Sequence, residues 1–117
     1  MDMNVLVLFG KLAAPPELRT FESGSSLVRS LVTVRTATPR RRVDVVPVVL
    51  WEPDPAHPLL VAPAGTKVFA VCSVQRRFWT VGEERQSRIE LVARHIELED
   101  AAEDVAGVPA RVTAEST

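Results

Sequence analysis

Residues 74–92, VQRRFWTVGEERQSRIELV, set Arg76 and Arg77 directly before Phe78 and Trp79, at the mouth of a charged turn. Trp79 is one of only 2 tryptophans in a chain with 4 phenylalanines and no tyrosine, so the site of each indole is informative. An indole beside guanidinium groups suits a flat, anionic ligand. The ring offers a stacking surface worth about 1–3 kcal/mol per base, and arginine adds charge and a stacking plane of its own. Single-stranded nucleic acid is the ligand class that needs both.

Other chemistries find little material. Glycine-rich phosphate loops, nucleophile elbows and His-x-Glu or paired-cysteine zinc signatures are missing from the sequence. His57 and His95 are far apart and lack a nearby nucleophile, so each reads as a surface or hydrogen-bonded histidine. Cys72 falls among Val68, Ala70 and Val74 and reads as a small buried hydrophobe. We therefore expect no enzyme, no metal and no cofactor.

Strand alternation determines which side chains can act together. In the segment 67–79, Ser73, Gln75, Arg77 and Trp79 share one face, while Val68, Ala70, Cys72 and Val74 share the apolar one. In the segment 43–51, Val45, Val49 and Trp51 share a side, and the residues leave Trp51 open to either a core or a surface role. Arg29 and Arg35 lie on one side of the segment 27–36. Arg40, Arg41 and Arg42 follow in the next connection. The candidate nucleic-acid-binding set is thus Trp51, Trp79, Arg77, Arg76, Arg35, Arg29, Arg40, Arg41 and Arg42.

The elements that position them read as β. Val5 to Phe9 is an apolar run expected to form a strand covered on both faces and closed by Gly10 and Lys11. APPELRTFESGSS, with Pro15, Pro16 and Gly24, reads as a loop or turn. Two β-branched strands follow, 27–36 and 43–51; Pro47 inside the second requires an edge position or a bulge. EPDPAHPLLVAPAG admits only a short helical turn near Pro58, carrying Leu59, Leu60 and Val61 inward. Residues 67–79 and 85–98 form a long hairpin around TVGEE. The order predicts an all-β protein: a five-stranded OB-fold barrel with a short helical or irregular connection between strands 3 and 4.

A chain of 117 residues suits one domain, expected over residues 1–98, with a flexible acidic tail over 99–117. Residues 1–96 hold 13 basic and 9 acidic side chains, and residues 97–117 hold 1 and 6, so a basic body precedes an acidic end. The run Glu97 to Asp104 could fold back on the basic face, or simply end the last strand in solvent. One cysteine, no basic leader and no run of roughly 18 apolar residues point to a reducing cytosol and no membrane.

NVLVLFGKLAAPPELR, through Asn4, Val5, Leu8, Gly10, Leu12, Pro16, Glu17, Leu18 and Arg19, resembles the opening of bacterial single-stranded DNA-binding proteins, with Pro15 where an aspartate is usual. SGSSLVRSLVTV, VVLW ending at Trp51, and the spacing through AGTKVF to RRFW are similar to the same family. The resemblance covers about residues 3–98.

It implies an OB-fold subunit, usually a homotetramer, that binds single-stranded DNA during replication, repair and recombination in a cytoplasmic, nucleoid-associated setting. It also implies that Trp51 and Trp79 occupy stacking positions. Val45 and Thr38 stand where many members carry further tryptophans, and Val71 and Cys72 replace a usual Glu-Gly pair. The chain ends RVTAEST, without the family's acidic tip, so the resemblance does not bring recruitment of repair proteins with it. The expected protein is a short or accessory member. The alternative is a primosomal-type assembly module with weak DNA binding. The apolar run of the first strand is expected to bury part of its surface against another subunit.

Overall fold

The computed structural model describes residues 1–99. Six strands run β1 Leu6–Leu12, β2 Glu17–Thr20, β3 Ser26–Thr36, β4 Arg42–Trp51, β5 Lys67–Val81 and β6 Glu84–Glu99, with one 3-10 turn at Pro58–Val61. Their order in the sheet is β1-β5-β6-β4-β3-β2, and β1 also pairs with β3. That second pairing closes five strands into a barrel, with a short helical turn between β4 and β5. This is the OB-fold topology.

The core forms because β-branched and small residues alternate inward. Val28 and Val32 of β3, Val48 of β4, and Val68, Ala70 and Cys72 of β5 are buried together. Leu59 enters from the 3-10 turn, where the His57 imidazole Nδ1 accepts the Leu59 N–H at 3.0 Å and caps it. Leu60 packs at the edge of this core. Val61 does not turn inward as its apolar character suggested; it is exposed, because the turn ends there.

Several local expectations change. Glu17–Thr20, expected as loop, is a strand paired with the start of β3, from Glu17↔Arg29 to Thr20↔Ser26. It is too short, and too closely hemmed by Pro16 and Gly24, to show a periodic signal. Lys11 and Gly10 do not close β1 but lie within it, where the strand passes from β5 to β3 through Lys11↔Thr33 and Leu12↔Val32. A Cβ on Gly10 would sit 2.3 Å from the Thr33 carbonyl oxygen, so only glycine permits that approach. β1 is not covered on both faces of this chain, since Val5, Val7 and Phe9 are exposed.

Pro47 sits in an unbroken ladder opposite Leu31. The other edge of β4 pairs with β6 only from Val48 onward, so the proline takes the edge position it requires.

The Asn4 amide extends the β1–β5 pairing. Its Nδ2 donates to the Val74 carbonyl at 2.7 Å, and its Oδ1 accepts the Val74 N–H at 2.8 Å. β6 runs to Glu99, whose carboxylate lies 3.3 Å from Lys67. The remainder of the expected tail, including Asp100 to Asp104 of the acidic run, lies outside the described residues.

Candidate nucleic-acid interface

Trp51 ends β4, one position beyond Leu50, which packs on the core. Alternation therefore turns the indole outward, where it is half-buried and stacked on Phe21, with centroids 5.8 Å apart and planes 27° from parallel. The chain leaves Trp51 through Glu52, which has a left-handed φ of 48°. Two hydrogen bonds hold that strained residue to the start of β3: its N–H donates to the Ser26 carbonyl at 2.8 Å, and its carboxylate accepts the Ser26 N–H at 2.8 Å. The end of β4, and with it the indole, is fixed beside Leu27.

Arg77 reaches the same place from β5. Its guanidinium lies 5.6 Å from the Trp51 ring centroid, and its Nη1 donates to Glu90 at 3.4 Å. Two residues further, Trp79 shares the Arg77 face and is exposed, with Arg88 of β6 5.5 Å from its ring centroid. Arg77 and Arg88 are direct cross-strand partners. Two indoles, each with a guanidinium against it, thus follow one another along a single face.

A groove of about 460 Å³ opens beside Trp51. Four arginines line it, Arg19, Arg29, Arg77 and Arg88, together with Phe21 and one acid, Glu90. Its floor is apolar, with Leu27 and Val49 buried. Open shape, cationic walls and an aromatic rim suit a flat polyanion. Among the described residues no group of three His, Cys, Asp or Glu side chains is placed to hold a metal ion.

Of the nine candidate residues, the structure brings Trp51, Trp79, Arg77 and Arg29 to this face. It does not bring the others. Arg76 is adjacent to Arg77 and therefore faces the opposite side of the hairpin, where its Nη1 donates to Ser87 Oγ at 3.1 Å. Arg35 is six residues along β3 from Arg29, roughly 20 Å away at 3.3–3.4 Å per residue. It lines a second cavity with Lys11, Lys67 and Phe9. Arg40, Arg41 and Arg42 lie exposed at that same far end of the β3–β4 hairpin.

Arg42 is also engaged locally, since its Nε donates to Asp44 at 2.9 Å. That hydrogen bond holds the Asp44 carboxyl below its ordinary pKa and raises Arg42 in turn. His95 is similarly occupied, with Nε2 2.7 Å from Glu97 Oε2.

Sequence reading missed Phe21, Arg19 and Arg88. Arg19 and Phe21, two positions apart, are a weak alternation signal hidden by the prolines before them. Arg88 becomes visible only through its register opposite Arg77.

An OB-fold barrel with an open aromatic–arginine groove on its outer strands falls in the class of oligonucleotide- and oligosaccharide-binding barrels. The chain belongs to the single-strand binding protein family, whose model matches residues 3–99. The proteins of that family are non-enzymatic DNA-binding proteins.

Among solved structures, the chain is similar to the wild-type single-stranded DNA binding protein from Thermus aquaticus. The identity is 20% and the TM-score 0.73, over 84% of this chain and 50% of that one, so this chain matches half the length of that relative. It is also similar to the Plasmodium falciparum SSB in its complex with ssDNA, at 13% identity and TM-score 0.68, over 86% of this chain and 97% of that one. At these identities the likeness shows the fold. No curated protein sequence matches the chain. No helix among the described residues is long and apolar enough to cross a membrane.

Proposed function

We propose that the chain binds single-stranded DNA with little regard to sequence, stacking bases on Trp51 and Trp79 and drawing phosphates to Arg77 and Arg29. The observation that carries this reading is the position of Arg77, against the Trp51 ring and on the same strand face as Trp79. Arg88 and Arg19 extend the cationic wall. Arg35, Arg40, Arg41 and Arg42 lie at the other end of β3, where only a longer strand reaches them. Arg76 serves the reverse of the hairpin. Family membership supports single-stranded DNA as the polymer; replication, repair and recombination are the occasions that the family resemblance implies.

The exposed β1 residues Val5, Val7 and Phe9, with Phe69 beside Phe9, form an apolar face suited to a second copy. Assembly into a homo-oligomer, a tetramer by family resemblance, follows from covering it. Sedimentation of Phe9→Glu against the parent chain tests this, with dissociation the expected result.

The binding reading is tested by intrinsic fluorescence during titration with oligo-dT at low and moderate salt. A base stacked on an indole quenches it, and the chain has only 2 tryptophans. Saturable quenching, reduced in Trp79→Ala and in Trp51→Ala, is expected. The logarithm of the binding constant should fall against log salt by about 0.7 per phosphate neutralised. Absence of both quenching and binding overturns the reading.

A further inference from the structure

The β5–β6 hairpin outruns the barrel. β1 pairs with β5 only as far as Leu6↔Cys72, and β4 pairs with β6 only at Leu91 and Val92. Beyond the Asn4 clasp on Val74, residues 75–90 form a two-stranded ribbon, and among the described residues no third strand is paired to either of its edges. The face of β5 that fills the core at Val68, Ala70 and Cys72 therefore emerges into solvent at Arg76, Phe78 and Thr80.

The front of the ribbon carries Trp79, Arg77, Arg88 and Glu90. The reverse carries three cross-strand pairs: Arg76↔Ile89, Phe78↔Ser87 and Thr80↔Arg85. These pairs include two arginines and no carboxylate. Phe78 is 50% exposed, and the Arg85 guanidinium lies 4.3 Å from its ring centroid. Arg76, bonded to Ser87, is held beside that ring on the same face. The arrangement repeats the front, where Arg88 lies against Trp79. On the reverse, however, neither arginine is ion-paired to an acid among the described residues.

We propose that the reverse face is a second nucleic-acid station, at which Phe78 stacks a base and Arg76 and Arg85 hold the flanking phosphates. A single strand longer than the front groove accommodates would turn around the ribbon edge to reach it. Charge selects this occupant. A second copy offering the same face would bring four arginines together unopposed, whereas a polyanion with flat bases satisfies the ring and both guanidinium groups at once. The inference rests on the single-stranded DNA reading above.

The test measures Phe78→Ala, Trp79→Ala and the parent chain by anisotropy of labelled oligo-dT of about 6 nucleotides, within the span of one OB-fold. The same proteins are then titrated with poly-dT to obtain affinity and nucleotides covered per chain. Phe78→Ala should bind the short oligonucleotide within about twofold of the parent, yet bind poly-dT about five- to a hundredfold more weakly and cover fewer nucleotides. Arg76→Ala and Arg85→Ala should each lower the poly-dT salt slope by about 0.7 without changing that of the short oligonucleotide.

If Trp79→Ala loses binding while Phe78→Ala matches the parent on both ligands, the second station is refuted and the DNA reading stands. Equal weakening on both ligands also refutes it, because the ring would then belong to the front site. A parent chain that binds neither ligand removes both ideas together. A Phe78→Ala chain with unchanged DNA binding but altered sedimentation reassigns the face to contact between copies. Phe78 is exposed, so its loss leaves the core intact, and an unchanged circular dichroism spectrum confirms a folded variant.

Discussion

The Arg77 guanidinium lies against the Trp51 indole although 26 positions separate the two residues along the chain. β6 lies between their strands in the sheet, so the contact spans a whole strand. Only a long side chain on the outer face can make it. The same guanidinium is anchored by Glu90 on that intervening strand. The indole therefore has Phe21 stacked on it and a cation near it, a preorganised arrangement that leaves less to be ordered when a ligand arrives.

Phe21 is the part of this arrangement with no charge, so its removal separates stacking support from phosphate attraction. Phe21→Ala should weaken oligo-dT binding about fivefold, the loss of roughly 1 kcal/mol of aromatic contact. The salt slope should stay at the parent value. Arg77→Ala should instead lower both the affinity and the slope. Arg77→Lys should restore the slope but not the full affinity, because an ammonium lacks the planar stacking surface. A Phe21→Ala chain with a changed salt slope would contradict this division.

The barrel closes where Gly10 meets β3. A methyl group there would fall 2.3 Å from the Thr33 carbonyl oxygen and 2.9 Å from Val32 Cγ1. Backbone blocks the first of these contacts and cannot swing away as a flexible side chain could. Gly10→Ala should destabilise the fold by about 1–3 kcal/mol, the usual range for overpacking, and lower the urea midpoint accordingly. A midpoint unchanged from the parent would mean that β1 moves freely off β3.

What could be read from the sequence follows the range of the interaction. Trp79 and Arg77 share a face because alternation along one strand is local, and the structure places them so. The same rule separates Arg76 from Arg77, yet adjacency in the chain invites grouping them. Register between strands is non-local, so the Arg88 contact with Trp79 and the Phe21 stack on Trp51 left no usable pattern. β2 was invisible for a different reason: its four exposed residues have no buried face to produce a period. Gly10 misled because glycine more often ends a strand than permits a close crossing within one.

Cys72 gives a prediction in pH. The thiol is buried on β5, and burial pushes its pKa above the ordinary thiol value. It should stay protonated and unreactive in the folded chain near pH 8, and react with a thiol reagent only as fast as the protein opens. The folded state keeps its proton at pH values where the unfolded thiol, near 8.5, has lost it. Stability is therefore complete below that range and declines as pH rises through it. Cys72→Ser should remove this alkaline decline. Rapid labelling of the native chain at pH 8 would contradict the burial.

Glu90 is the one acid among the described residues that line the groove, facing four arginines. Its side chain is 13% exposed and its Oε2 is 3.4 Å from Arg77 Nη1. It orients Arg77, but its charge also opposes any phosphate entering the groove. Glutamine at this position separates the two effects, because its carbonyl oxygen can still accept the Arg77 hydrogen bond while the charge is gone. Because the repulsive charge is removed and the hydrogen bond kept, Glu90→Gln should tighten oligo-dT binding about two- to fivefold at low salt, the scale of one partly exposed charge interaction. The gain should shrink as salt screens the groove. Weaker binding in Glu90→Gln at every salt concentration would show that the ionic anchor on Arg77 matters more than the repulsion it introduces. Glu90→Ala, which loses anchor and charge together, should then weaken binding further.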